Sequence, residues 1–103
     1  MKDFGNLMKQ AQKVKAEMER IQAQAAAMQV EGTAGGGMVT VTANGRGDII
    51  GVRVDPEVTQ TGDLEMLQDL IVAATNDAIT RSRELLASEM GKLTGGLGLP
   101  GMF

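Results

Sequence analysis

The hydrophobic positions of residues 3–29 repeat with the spacing of an amphipathic helix. Apolar residues follow one another at alternating intervals of three and four residues along the whole segment, which is the a/d pattern of four heptads. The positions are Phe4, Leu7, Ala11, Val14, Met18, Ile21, Ala25 and Met28. At about 1.5 Å per residue the helix would be roughly 40 Å long, more than a small sheet needs for cover. We therefore expect part of it to project or to pair with another helix, whereas a single core-facing stripe is the simpler interpretation.

The next segment changes from a helical to an extended pattern. Residues 29–34 have modest strand character, and the triple glycine at 35–37 predicts a turn that folds them back on residues 39–43. A second turn cluster, Asn44-Gly45-Arg46-Gly47-Asp48, lies between two runs of β-branched residues and predicts a hairpin. The expected product is a three-stranded antiparallel meander.

One face of this meander is apolar. Because a lone hairpin is marginal in water, that face needs cover from a helix, a further strand or a second copy of the chain. We expect the early part of the second long helix and a second copy to cover it. The residues assigned to the dimer interface are Val39, Val41, Ile50, Val52 and Val54.

After the last strand the sequence predicts a helical turn and then a second long helix. Asp55 before Pro56 is a good start for the turn, and Asp63 is a good N-cap for the long helix. The apolar spacing of that helix breaks where Arg81 and Ser88 occupy expected seam positions, so its second half is predicted to be more exposed. The Gly-rich residues 94–103 are predicted to be a mobile tail or a short docking peptide, which leaves residues 1–93 as a single domain.

Composition excludes most enzymatic chemistry. The 103 residues include no His and no Cys, which removes His-based zinc sites, thiolate nucleophiles and triads with an imidazole base. The carboxylates are scattered over predicted helix surfaces, with nothing to desolvate a catalytic pair. The triple glycine is not followed by Gly-Lys-Ser or Gly-Lys-Thr, so turn chemistry explains it better than a phosphate loop. We expect a protein that is not an enzyme and that needs no cofactor or metal.

Charge suggests a local rather than a global basic surface. The formal net charge is −3 and the pI about 4.8, and no signal peptide or transmembrane segment is evident, so we expect a soluble cytoplasmic protein. In the first helix four cations share the side away from the apolar seam, and two more lie in the second helix. They are Lys2, Lys9, Lys13 and Arg20 in the first helix, and Arg81 and Arg83 in the second. The strip on the first helix is either a phosphate-binding surface or an ordinary solvated helix face.

Several segments together resemble the YbaB/EbfC family of bacterial nucleoid-associated DNA-binding proteins. They are the charged heptad helix, the hairpin ending in IIGVRVDPE, the Leu- and Ala-rich last helix and the terminal LGLPGMF. The resemblance implies an α+β homodimer of α-β-β-β-α chains with joined sheets and projecting helices. It implies binding of duplex DNA, with roles in nucleoid organisation and gene regulation. The family has no universally fixed DNA-contacting motif, so only the region carries over, namely the basic positions on the projecting helices.

Two other functions fit the residues. Two long helices joined by a small sheet, acidic overall and rich in Met, would suit a prefoldin-like holdase that grips unfolded chains. A pure assembly module would use the helices only to pair with partner proteins. With only two aromatic residues and no recognition helix, DNA binding would rest on phosphate contacts and DNA shape, with weak sequence preference.

Overall fold

A computed structural model describes residues 2–96, with side chains from residue 3 to residue 92. The chain forms a long helix, a three-stranded antiparallel sheet, a short helix and a second long helix. The elements are α1 (Lys2–Ala27), β1 (Gln29–Ala34), β2 (Val39–Asn44), β3 (Ile49–Val54), α2 (Pro56–Gln60) and α3 (Leu64–Gly96). This order confirms the predicted α-β-β-β-α plan. The molecule is elongated, with principal extents of 71 × 23 × 17 Å.

The sheet is a meander in the order β1-β2-β3. Val41 in the central strand is paired with Gly32 on one side and with Val52 on the other. The turn between β1 and β2 uses three consecutive glycines with positive φ, a conformation that costs glycine little. Because the register shifts after Thr42, β3 carries a bulge close to the hairpin tip.

The β2–β3 tip is organised by Asn44. Its side-chain oxygen accepts from the backbone N–H groups of Arg46 at 3.0 Å and Asp48 at 3.1 Å. Such side-chain bonds to the following backbone are the reason that asparagine favours turns. The turn holds Arg46 out into solvent.

Helix α3 covers β1 and β2 but not β3. Its Ala74 and Ala78 are fully buried against Val39, Val41 and Ala43 of β2. A Cβ on Gly32 of β1 would collide with backbone atoms of both alanines, so the helix lies almost directly on the strand. Small residues on both elements permit this close approach.

The hairpin tip also joins the two long helices. The backbone N–H of Gly45 donates to the Ala25 carbonyl in the last turn of α1 at 2.8 Å. From the other side, the buried hydroxyl of Ser82 on α3 donates to the Asn44 carbonyl at 2.6 Å. Both helices are therefore held at the point where they leave the sheet.

Beyond this junction α1 and α3 run antiparallel and form a two-helix arm. Ala25 and Ser82 lie at its base. Further out, the pKa of Arg20 on α1 is raised mainly by its hydrogen bond to Glu17, and the charge of Glu89 on α3 adds to the effect. The prediction that the second half of α3 is more exposed is wrong at two positions. Ser82 and Glu89 are buried. Each lies one position after a predicted break, at Arg81 and at Ser88, so polar residues continue the buried seam there.

Both predicted caps are present. Asp55 accepts from the backbone N–H of Glu57 at 2.9 Å and begins α2, and Asp63 accepts from the backbone N–H of Met66 at 2.9 Å and begins α3. Helix α3 continues to Gly96, past the predicted start of the tail at residue 94. The remainder of that predicted tail, residues 97–103, lies outside the described residues.

Candidate nucleic-acid interface

Three cations of α1 lie on one flank of the arm. Lys9 and Lys13 are one turn apart, and Arg20 lies eleven residues beyond Lys9, which is about three turns and brings it back to the same side. All three side chains are exposed. Lys2 occupies a helical position on this side, but its side chain lies outside the described part of the chain. We call Lys9, Lys13 and Arg20 the cationic strip.

Arg20 differs from the two lysines because acids surround it. A guanidinium nitrogen of Arg20 donates to the Glu17 carboxylate at 2.7 Å. The hydrogen bond lowers the pKa of Glu17 and raises the pKa of Arg20, so both groups are held in their charged forms. The strip therefore has two cations that form no ion pair within residues 3–92, Lys9 and Lys13, and one that is largely neutralised.

The two predicted cations of α3 do not form one surface. Positions two apart in a helix project in nearly opposite directions, so Arg81 and Arg83 lie on different faces. Arg81 pairs with Asp77 at 3.3 Å, and the same carboxylate accepts from the backbone N–H of Thr33 at 3.0 Å. These two contacts lower the pKa of Asp77, the Thr33 bond contributing most. Arg81 thus belongs to a contact between α3 and the outer edge of β1, whereas Arg83 forms no ion pair among residues 3–92.

Four further exposed cations were not among the predicted site residues. Lys92 pairs with Glu89 at 3.0 Å, and the other three are Lys15, Arg46 and Arg53. Within the part of the chain whose side chains are described, none of these three forms an ion pair. Heptad position could not single out Lys15, because it falls next to the seam rather than opposite it. The only available signal for Arg46 was its place at a hairpin tip.

The structure divides the predicted dimer interface. Val39 and Val41 have no exposed surface, since α3 covers them within the same chain, so they belong to the core and offer nothing to a second copy. Ile50 is 48% exposed and Val52 52%, while Val54 is half-buried. Of the predicted interface residues, those that remain uncovered therefore belong to β3, an edge strand of the sheet.

Comparison with known proteins shows what kind of chain this is. Residues 1–97 match the profile of the YbaB/EbfC DNA-binding family. The chain belongs to this family. A nucleoid-associated protein of Acetivibrio thermocellus is 50% identical over 102 residues, covering 98% of this chain and 90% of that protein. One of Alkaliphilus metalliredigens is 46% identical over 101 residues, covering 98% of this chain and 89% of that protein.

A solved structure has the same fold. The crystal structure of an uncharacterized protein from Helicobacter pylori superposes with a TM-score of 0.77 at 23% sequence identity, covering 87% of this chain and 95% of that one. This YbaB/EbfC-like fold places the cationic strip on a helix that projects beyond the sheet, as the resemblance in the sequence predicts.

Membership in the YbaB/EbfC family confirms the expectation of a DNA-binding protein that is not an enzyme. Within the described residues no group of His, Cys, Asp and Glu side chains is arranged to hold a metal ion. Among the same residues, none of the helices is both long and apolar enough to span a bilayer.

Proposed function

We propose that this protein is a homodimeric nucleoid-associated protein that binds duplex DNA through phosphate contacts and DNA shape, with weak sequence preference. Binding would alter DNA conformation and, through it, nucleoid organisation and gene expression. The observation that carries the proposal is the pair Lys9 and Lys13, exposed on one flank of a projecting arm and without an ion pair among residues 3–92. The names of the relatives support a place in the nucleoid, and hence in the cytoplasm.

Dimerisation through β3 would complete the sheet. The other edge strand, β1, has its Thr33 N–H occupied by Asp77, whereas β3 presents Ile50 and Val52 to solvent. Exposed apolar side chains on an unpaired edge are a liability that proteins usually cover. A second copy related by a two-fold axis would cover the exposed β3 side chains of both chains in a single interface. The arms of the two chains would then be held at a set distance by the joined sheets.

Charge decides how such a dimer can bind DNA. Each chain has a formal net charge of −3, so a dimer carries −6, and it approaches a polyanion favourably only where cations are concentrated. Among the described cations, two strips supply this concentration. With Phe4 and Phe103 as the only aromatic residues, base stacking has little to use, which favours phosphate contacts.

The first test is the salt dependence of binding to random and defined duplexes, measured by fluorescence anisotropy with the mass of the free protein determined in parallel. If a dimer neutralises about 4 to 8 phosphates, log affinity should fall with log salt with a slope of about −4 to −7. Random and defined duplexes should bind similarly. A dimer that binds neither duplex at low salt would contradict the proposal and favour a holdase or an assembly module.

The second test locates the surface. Lys9→Glu with Lys13→Glu should lower affinity at moderate salt by about tenfold or more and should leave the dimer intact. The matched control is Lys15→Glu with Arg46→Glu, which changes the net charge equally at exposed positions outside both the strip and β3. Equal losses in both variants would show that net charge, and not the strip, governs binding.

A further inference from the structure

The outer end of the arm has an apolar surface that α3 does not reach. One row of the α1 seam consists of Leu7, Val14 and Ile21, spaced seven residues apart. Ile21 is 3% exposed, Val14 is half-buried and Leu7 is 61% exposed. The exposure of equivalent seam positions therefore rises steadily away from the sheet.

The end of α3 explains this gradient. Ala25 of α1 and Ser82 of α3 are level, since Gly45 donates to the Ala25 carbonyl and Ser82 donates to the carbonyl of the adjacent Asn44. The helices run antiparallel, so the stretch of α3 from Ser82 to Gly96 corresponds to an equal number of residues back along α1 from Ala25. Gly96 is thus level with about residue 11 of α1, and α1 continues for roughly 14 Å beyond it. Phe4, Leu7 and Met8 are exposed on that extension, and we call them the outer seam.

We propose that residues 97–103 of the same chain dock on the outer seam. This segment follows Gly96 directly, at the level where the seam loses its cover. It contains Leu97, Leu99, Met102 and Phe103 and no charged side chain, so its chemistry matches an apolar surface. Seven residues reach at most about 25 Å when extended, which is enough to follow the exposed part of α1 to its end.

Other arrangements of the segment fit less well. Glycine at 98 and 101 and proline at 100 disfavour a continued helix, so α3 cannot simply lengthen to cover the seam. The cationic strip lies on another side of α1 from the outer seam, so docking leaves Lys9 and Lys13 accessible. The inference does not depend on DNA binding. Its consequence is mechanical, because docking would hold the outer turns of α1 in helical form.

Hydrogen exchange on the full-length protein tests the docking. Replacing the four apolar side chains of the segment with Ser should lower the protection of amides 5–12 on the order of fivefold, since those turns would lose apolar contacts. Amides in β2 should keep their protection, which shows that the fold is intact. The control is Leu64→Ser, an exposed Leu at the far end of α3, which should change neither set. Unchanged protection of amides 5–12 in the four-Ser variant would overturn the inference.

Disulfide trapping identifies the occupant, because the chain has no cysteine of its own. Met8→Cys with Gly98→Cys should oxidise to a bond within one chain, about tenfold faster than Lys9→Cys with Gly98→Cys, in which the thiol of α1 is on the opposite side. A non-reducing gel separates single chains from linked pairs. A bond that joins two chains would assign the seam to the segment of a second copy, and equal rates for the two pairs would refute docking; either result overturns the proposal.

Discussion

Arg20 donates to Glu17 over 2.7 Å, on the flank of α1 that also carries Lys9 and Lys13. The two side chains are 53% and 34% exposed, so the pair contributes little to stability. The pair places an acid beside the cationic strip and occupies one of the strip's three described cations. In the proposed DNA complex Glu17 would therefore reduce the affinity of the strip for phosphate.

Replacing Glu17 with Gln should therefore strengthen DNA binding. The change removes one negative charge and frees Arg20 for phosphate, and we expect affinity at low salt to rise about two- to fivefold. Anisotropy titrations of a labelled duplex would measure it. Glu65→Gln, an exposed change in the first turn of α3, is the control for net charge. An equal gain in the control would show that Arg20 was not restrained by its partner.

Charges on the exposed face of β3 should dissociate the proposed dimer. Ile50→Asp with Val52→Asp introduces carboxylates that the isolated chain leaves in water but a joined sheet would bury without partners. Sedimentation should give about half the wild-type mass, with the helical CD signal retained. Met18→Asp, an exposed apolar position on the arm, should leave the mass unchanged. If the β3 variant sediments as the wild type does, the interface lies elsewhere.

A methyl group at Gly32 should destabilise the fold more than one at Gly51. The added Cβ at Gly32 meets the backbone N of Ala78 and the backbone O of Ala74, neither of which can move without displacing α3. We expect Gly32→Ala to lower the free energy of unfolding by about 2 to 4 kcal/mol. Gly51→Ala in β3 meets no atom within 4 Å and is the control. Similar urea midpoints for the two variants would contradict the close packing of α3 on β1.

The Asp77 contact should make stability depend on pH in the acid range. The N–H of Thr33, and then Arg81, lower the pKa of Asp77 in the folded chain, so folding favours the ionised form. This stabilisation is present above the unfolded value of about 3.9 and is lost as pH falls through the lower folded pKa.

Asp77→Asn should accordingly lower the urea midpoint at neutral pH, and its difference from wild type should shrink below about pH 4. Asp69→Asn, an exposed change earlier on the same helix, is the control. A difference that stays constant from neutral pH to below pH 4 would show that the Asp77 charge is not involved.

Local patterns in the chain were sufficient for the secondary structure. The caps at Asp55 and Asp63, the positive-φ glycines at 35–37 and the heptad spacing of α1 each depend on residues only a few positions apart, and all are present. The side of α1 that bears Lys9, Lys13 and Arg20 follows from the same local geometry. The polar seam positions of α3 were missed, because periodicity counts apolar residues and Ser82 is buried through a hydrogen bond to Asn44.

The sequence by itself therefore determined the elements, their order and the face that each presents, since backbone propensity and side-chain periodicity are local properties. Only the tertiary structure decided which apolar side chains are covered and which polar groups of different elements meet. Val41 is buried and Val52 exposed although they are paired neighbours in the sheet, because α3 crosses β2 and not β3. The carboxylate of Asp77 pairs with Arg81 one turn along the same helix, but it also accepts from the backbone N–H of Thr33 in β1, and only the packing of α3 on β1 brings that contact about. These outcomes depend on where elements pack in space, which no local pattern of residues specifies.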